Sequence, residues 1–292
     1  MATRDARSTT APELDSAAID AYESELRETG FRAAVTRVNR YLARPRWWVE
    51  ILMLGALYAI YSAIRNSVGD VAAAAYRNAD EILRIEDSWN FALERPLNEL
   101  VHTTTWLANL VALQYATLHF IVTPVVLIWL LFRRKQYYRQ VSGVLVLTTG
   151  LALIGFYWLP TAPPRLLKGE GFVDVMAQTA SWGWWPESGA PGSDAISNQF
   201  AAMPSLHCAW ATWCGVTLFF LAKWKWLRIL GLIYPFTTYF VVMGSGNHYI
   251  LDVIAGVWLL AVAALIIYAP TLTRWWRNRA ARRPESAGVS IG

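Results

Sequence analysis

Long apolar runs separated by short polar segments dominate the sequence. Several of them approach or exceed the roughly 20 residues that an α-helix needs to cross a hydrocarbon core of about 30 Å. The predicted membrane-spanning helices cover residues 48–65, 111–132, 141–159, 202–222, 225–243 and 249–269. The pattern therefore predicts an all-α, polytopic membrane protein with six transmembrane helices.

Two segments do not fit the spanning pattern. Between residues 71 and 105, apolar residues recur at helical spacing but charged residues interrupt them. We expect an amphipathic helix on the outer membrane surface there, followed by a second short helix after Pro96, with a plain solvated loop as the alternative. Residues 160–200 are rich in Pro, Gly and Trp and are predicted to form a long outer loop.

Composition and charge support a membrane protein. The chain is 55% hydrophobic and 16% charged, whereas about a quarter of the residues of a soluble domain are charged. The net charge of +5 does not indicate nucleic acid binding, because 20 of the 26 Lys and Arg residues fall on the side of the predicted spans that holds the N-terminus. The positive-inside rule then places both termini in the cytoplasm.

The predicted organisation follows from this topology. Residues 1–46 form an Arg-rich and partly disordered cytoplasmic tail, residues 47–270 form the membrane domain, and residues 271–292 form a basic cytoplasmic tail. We expect the protein to be located in the cell membrane and its helices to contact the lipid bilayer. The sequence does not indicate an oligomeric state.

Three short motifs fall at the outer ends of predicted spans. Residues 160–165 (PTAPPR) follow the third span, residues 203–207 (MPSLH) open the fourth, and residues 246–252 (GNHYILD) open the sixth. Charge alone assigns the topology, so the convergence of the three motifs on one face is independent evidence for a shared site.

The residue types in these motifs suit phosphoryl transfer. His248 and Asp252 are four residues apart and would be neighbours on a helix, so the carboxylate can hold one imidazole nitrogen and leave the other to attack. His207 is a second imidazole, suited to protonating a leaving group. Ser205 and the free N–H groups at a helix start would bind an anion, and Arg165 can bind two phosphate oxygens.

Further candidates surround these motifs. Two residues are candidate phosphate ligands and three are candidate pocket residues: Lys168 and Asn247 in the first group, and His119, Asn198 and Tyr249 in the second. A zinc site built from the two motif histidines and the aspartate is the alternative, but Arg165 and Lys168 would repel a cation. We therefore expect a site that contains no metal and needs no cofactor.

At these residues the sequence resembles the PAP2 superfamily, the type 2 phosphatidic acid phosphatases. The similarity is greatest to the branch that contains inositol phosphorylceramide synthases. The resemblance implies a six-helix fold over about residues 48–269 and a phosphohistidine mechanism without a metal. It implies that His248 is the nucleophile, that Asp252 orients it, that His207 is the acid, and that Arg165 binds phosphate.

Four positions depart from the general pattern of that superfamily. Trp158 stands where a lysine is usual, seven residues before the first-motif arginine, and Leu166 stands where a proline follows it. Val241 and Val242 replace a Ser-Arg pair ahead of the third motif. The synthase-like branch shares these departures, which remove two cationic contacts to phosphate.

The expected substrate is therefore a lipid phosphate or phospholipid, attacked at the outer membrane face. The missing cations favour a phosphodiester or transfer to an alcohol, as in the synthase-like branch. A plain lipid phosphomonoester or pyrophosphate phosphatase, of phosphatidate or polyprenyl type, is the alternative enzyme. A non-catalytic transporter or scaffold for an anionic lipid is the alternative from another class, although such a protein would not need a His-Asp pair.

Overall fold

The computed structural model describes residues 71–185 and 199–281, together with a few separate positions between residues 30 and 59. The chain divides into two units, Met1–Arg46 and Trp47–Gly292, and the elements below all belong to the second. Asn198, most of the first predicted span, nearly all of the predicted N-terminal tail and residues 282–292 of the predicted C-terminal tail lie outside the described residues. The predicted domain boundaries therefore stay predictions.

The described part of the chain is helical, as predicted. It contains no strand. The helices are α1 (Ala72–Ser88), α2 (Glu94–Thr103), α3 (Thr105–Arg133), α4 (Lys135–Trp158), α5 (Val175–Thr179), α6 (Leu206–Leu221), α7 (Lys225–Gly244) and α8 (Ile250–Ala281), with a 3₁₀ turn at Pro164–Leu166. The all-α prediction is confirmed.

Four helices are long and apolar enough to cross a membrane, namely α3, α4, α7 and the Ile250–Thr273 part of α8. They correspond to four of the predicted spans. The predicted span at 202–222 corresponds to α6, which is apolar but has only 16 residues and is about 24 Å long. The described residues therefore contain four candidate spans, whereas the sequence predicts six for the whole chain.

The surfaces of these helices are apolar. Large hydrophobic side chains are exposed on α3, α7 and α8, including Phe120, Ile128, Phe236 and Trp258. A helix that is hydrophobic all round is typical of a membrane span, because lipid can cover the side chains that the protein leaves exposed. This pattern supports an integral membrane protein.

Helix α1 is found where the sequence predicts an amphipathic helix, but its apolar face contacts protein. Ala75, Ala79 and Leu83 on this face are buried in a cluster with Ala162 and Tyr249, which belong to the first and third motifs. The stripe that was expected to face the membrane surface therefore supports the motif segments instead. The second short helix, α2, begins at Glu94, two residues before Pro96, and this proline lies in its first turn.

The segment predicted as a long outer loop contains ordered structure in its described part. After the 3₁₀ turn, Asp174 caps the short helix α5 by accepting hydrogen bonds from the Met176 and Ala177 N–H groups. The Trp185 indole is buried and donates to the Met176 carbonyl at 3.0 Å. Residues 186–198 lie outside the described residues.

Candidate active site

Backbone hydrogen bonds hold the three motifs together. One pair joins the first motif to the residues just before the second, one bond joins the second to the third, and one joins the first to the third. These bonds run from Thr161 N–H to Phe200 O (2.7 Å), from Ala202 N–H to Thr161 O (3.2 Å), from Ser205 N–H to Asp252 O (3.0 Å) and from Arg165 N–H to Gly246 O (2.8 Å). The convergence of the motifs is therefore built into the main chain.

Gly246 allows the third motif to approach the rest of the site. It has a φ of +75°, a conformation that glycine adopts without steric cost. A Cβ there would lie 3.1 Å from the Val173 carbonyl and 3.2 Å from the Asn98 amide nitrogen. The buried Asn98 side chain bonds both the N–H and the carbonyl of Val173, and donates to the Gly244 carbonyl at 2.9 Å. Asn98 thus links α2, the 160–185 segment and the end of α7.

His248 and Asp252 form a buried pair at the start of α8. His248 Nδ1 lies 3.2 Å from Asp252 Oδ2, and the Tyr249 N–H donates to the same oxygen at 3.0 Å. Asp252 is fully buried and His248 is 4% exposed. A carboxylate on Nδ1 fixes the tautomer in which that nitrogen carries the proton. The other ring nitrogen, Nε2, then has a lone pair available for attack on an electrophile.

His207 stands beside this pair in the first turn of α6. Its ring stacks on Tyr115 with 4.8 Å between ring centroids, and its centroid lies 4.2 Å from that of His119 and 5.7 Å from that of His248. His207 Nε2 is buried and has no hydrogen-bond partner in the described part of the chain. A buried polar atom without a partner is unusual, so Nε2 is available to a substrate oxygen.

A cavity of about 200 Å³ connects these groups. Apolar side chains form much of its wall, which suits a lipid-like ligand, while polar groups converge on one part of it. Its lining includes Tyr115, His119, Phe120, Phe156, Pro163, Arg165, Gln199, Ala201, Ala202, Leu206, His207, Asn247 and His248. Among these described lining residues, Arg165 is the only one that is permanently charged.

Arg165 is held by two side chains. Its Nε donates to Asn247 Oδ1 at 2.9 Å, and one terminal nitrogen donates to Asp174 Oδ2 at 2.9 Å. Asp174 also caps α5, so the guanidinium is anchored to an ordered element. The carboxylate offsets much of the arginine's charge, and the cavity is therefore less cationic than the sequence suggests.

The remaining candidate residues differ in whether they line the cavity. Lys168 is exposed and does not line the cavity. The Ser205 hydroxyl accepts the Cys208 N–H at 3.4 Å and caps α6, and the buried Tyr249 hydroxyl donates to the Ala162 carbonyl at 2.9 Å. His119 and Asn247 do line the cavity.

Three residues important to this site carry no motif signal in the sequence. Asn98 and Tyr115 approach the motif residues only because the fold brings distant segments together, whereas Asp174 lies nine residues after Arg165. Asp174 precedes a short helix as a capping residue, which is the one local signal among them. In the described ranges, no group of three or more His, Cys, Asp and Glu side chains is arranged to hold a metal ion.

The family comparison agrees with this geometry. A family model described as the PAP2 superfamily matches residues 80–266, which is more than half of the chain and includes all three motifs. The chain belongs to the PAP2 superfamily. Members of this superfamily are generally phosphatases or phosphotransferases. The residues that line the cavity of this PAP2 protein lie within the matched region. Comparisons with curated proteins and with solved structures gave no match.

The two cations near the first motif should differ in importance. Arg165→Ala should lower kcat/KM on a lipid phosphate by roughly tenfold to a hundredfold, because a hydrogen bond to a charged group contributes about 1.5–3 kcal/mol. Lys168→Ala should change it by less than about twofold. Steady-state kinetics in one detergent, with melting temperatures to verify folding, tests this contrast. A larger loss in Lys168→Ala than in Arg165→Ala would contradict the placement of the anion site.

Proposed function

We propose that this PAP2 protein transfers the phosphoryl group of a membrane lipid through a covalent phosphohistidine at His248. The observation that carries the proposal is the arrangement of His248 with Asp252 on one ring nitrogen and His207 close by, beside a cavity that contains Arg165. A nucleophile, an orienting carboxylate, a proton donor and an anion-binding group are the parts that phosphoryl transfer needs.

In the first step, His248 Nε2 attacks phosphorus, and an N–P bond forms as the P–O bond to the leaving group breaks. His207, in its protonated form, gives a proton to the departing oxygen. Asp252 stabilises the positive charge that develops on the His248 ring. Arg165 binds the oxygens of the phosphorus centre, where negative charge is concentrated.

In the second step, an acceptor hydroxyl attacks the phosphohistidine. His207, now neutral, takes the proton of that hydroxyl, and the N–P bond breaks as the new O–P bond forms. Water as the acceptor gives a phosphatase, and an alcohol gives a phosphotransferase. The same residues serve both reactions, so the acceptor is decided by what the cavity admits.

The weak cationic character of the cavity favours a phosphodiester substrate, or transfer to an alcohol as in the inositol phosphorylceramide synthase-like branch. Trp158 is 77% exposed at the end of α4, and Val242 is buried in the apolar core, so neither replaces the missing cations. Arg165 is paired with Asp174. A phosphomonoester dianion would be poorly compensated here, whereas a phosphodiester carries one negative charge less.

The proposed location of this chemistry is the outer face of the membrane, with both termini in the cytoplasm. It is supported by the distribution of Lys and Arg along the sequence. A substrate lipid in the outer leaflet would then reach the site without crossing the bilayer.

Replacing the proposed nucleophile should remove the chemical step. His248→Ala should lower the turnover rate by at least about a thousandfold, because the alanine side chain cannot form the intermediate. Asp252→Asn should keep a small fraction of activity, since it only orients and stabilises the ring. The matched control is His102→Ala, which removes a histidine that contacts Glu99 and lies outside the cavity lining.

Initial rates of headgroup or phosphate release by the purified variants would measure these effects. Near-normal turnover in His248→Ala would contradict the mechanism. A wild-type protein that binds lipid phosphates without turning them over would instead indicate a transporter or scaffold.

The reaction type can be tested with a matched pair of substrates. We expect kcat/KM for a lipid phosphodiester to equal or exceed that for the corresponding lipid phosphomonoester in the same detergent. The reason is that each missing charge-assisted contact to the monoester dianion lowers its rate by about one to two powers of ten. Released headgroup, phosphate and any new lipid should be followed together. A monoester preference of a hundredfold or more would favour a plain lipid phosphatase.

A further inference from the structure

Two glutamates on α1 and α2 are buried where charged carboxylates are costly. Glu86 and Glu94 are both fully buried, although they come from polar, charge-rich stretches of the sequence. A carboxylate taken out of water must be paired, hydrogen-bonded or protonated. The surroundings of this pair therefore determine what it does.

Glu86 contacts the first turn of α8. Its Oε1 accepts the Leu251 N–H at 2.8 Å, one residue before Asp252. The first N–H groups of a helix have no partner within the helix, so Glu86 supplies an acceptor from a different element. The same turn carries Asp252, whose side chain holds His248. Glu86 is thus a direct contact between α1 and the segment that carries the proposed nucleophile.

The charges around the pair are mostly negative. The N–H groups of Glu94 and Ile250 favour the charged form of the Glu94 carboxyl, although neither completes a hydrogen bond with it. The groups that face the two glutamates are the Asp252 carboxylate, the Tyr249 phenol and the Arg95 guanidinium. Arg95 itself pairs with Asp87 and Glu170, so little positive charge is left to offset a second ionised glutamate.

The lack of hydrogen-bond donors around the two carboxyl groups indicates that the pair holds a proton. Glu86 Oε2 and both Glu94 oxygens receive no hydrogen bond from a donor among the described residues. Two ionised carboxylates cannot bond to each other, but one protonated carboxyl can donate to its neighbour. Burial and the adjacent Glu94 charge raise the pKa of Glu86 to about 9. Burial also raises the pKa of Glu94. The pair as a whole therefore keeps one proton, and the N-terminus of α2 favours the remaining charge on Glu94.

We propose that Glu86 and Glu94 share one proton and that this protonated pair positions the first turn of α8, with Asp252 and His248. Loss of the proton would place a second negative charge next to Glu94 and Asp252 and would loosen the turn. The positioning of a catalytic group rests on the proposed function, whereas the shared proton does not. Both glutamates are positioning residues, since neither lines the cavity.

The shared proton predicts a characteristic dependence of stability on pH. An ordinary glutamate has a pKa of 4.5, and Glu86 has a pKa of about 9 in the folded protein. Between these values the folded state holds a proton that the unfolded state has released, so stability falls as pH rises and levels off above about 9. Glu86→Gln removes this contribution, because its amide can donate to Glu94 and its carbonyl can still accept from Leu251.

The experiment compares melting temperatures of the purified protein in detergent from about pH 5 to about pH 9.5. The wild type should lose stability with rising pH more steeply than Glu86→Gln. The control Glu81→Gln changes an exposed glutamate on the same helix and should keep the wild-type slope. Parallel slopes for the wild type and Glu86→Gln would overturn the proposal, as would a Glu86→Gln protein that does not fold while Glu81→Gln does.

Activity tests the positioning role. At neutral pH, Glu86→Gln should keep kcat/KM within about threefold of the wild type, and Glu86→Ala should lose at least tenfold. The wild type should lose activity above about pH 9, and Glu86→Gln should not share this alkaline loss. Identical alkaline profiles would overturn the positioning role. If every variant lacks turnover while the difference in melting slopes persists, the proposed function fails and the shared proton stands.

Discussion

The hydrogen bonds of Asp252 are the point on which the rest of the site depends. Its side chain accepts from the Tyr249 N–H and holds His248 Nδ1, and its carbonyl accepts from the Ser205 N–H. One residue therefore fixes the start of α8, the histidine ring and the start of α6. Gly256, one turn later, lets the two helices approach so closely that a Cβ would clash with the Ser205 carbonyl. The distance between His207 and His248 follows from this contact.

A low-dielectric setting makes each buried charge at this site dependent on its neighbours. Arg165 is compensated by Asp174. Asp252 Oδ2 accepts from the Tyr249 N–H and contacts His248 Nδ1, whereas its buried Oδ1 has no hydrogen-bond partner among the described residues. An anionic substrate would add charge to a cavity that has little cationic surplus. This balance explains why we favour a phosphodiester, which brings one negative charge, over a phosphomonoester dianion. It also explains why a further ionised glutamate behind α8 would be unfavourable.

Sequence patterns predict the local parts of this protein well. Long apolar runs predict α3, α4, α7 and α8, and residue chemistry selects the motif residues that the structure places around one cavity. The roles of Asn98 and Tyr115 could not be predicted, because their contacts join residues far apart in sequence: Asn98 and Gly244 are 146 residues apart. Charge alone singled out Lys168, but spacing cannot show whether a side chain next to a turn points into a cavity. Periodicity likewise gives the apolar stripe of α1 without showing whether lipid or protein covers it.

A covalent intermediate on His248 is the central claim, and trapping that intermediate is its most direct test. The purified protein would be mixed with a lipid substrate that carries radioactive phosphorus and denatured in alkali within the first turnover. We expect protein-bound label that is stable in alkali, is lost in acid, maps to the peptide containing His248 and is absent from His248→Ala. Turnover without any labelled protein, or label on a different residue, would contradict the mechanism.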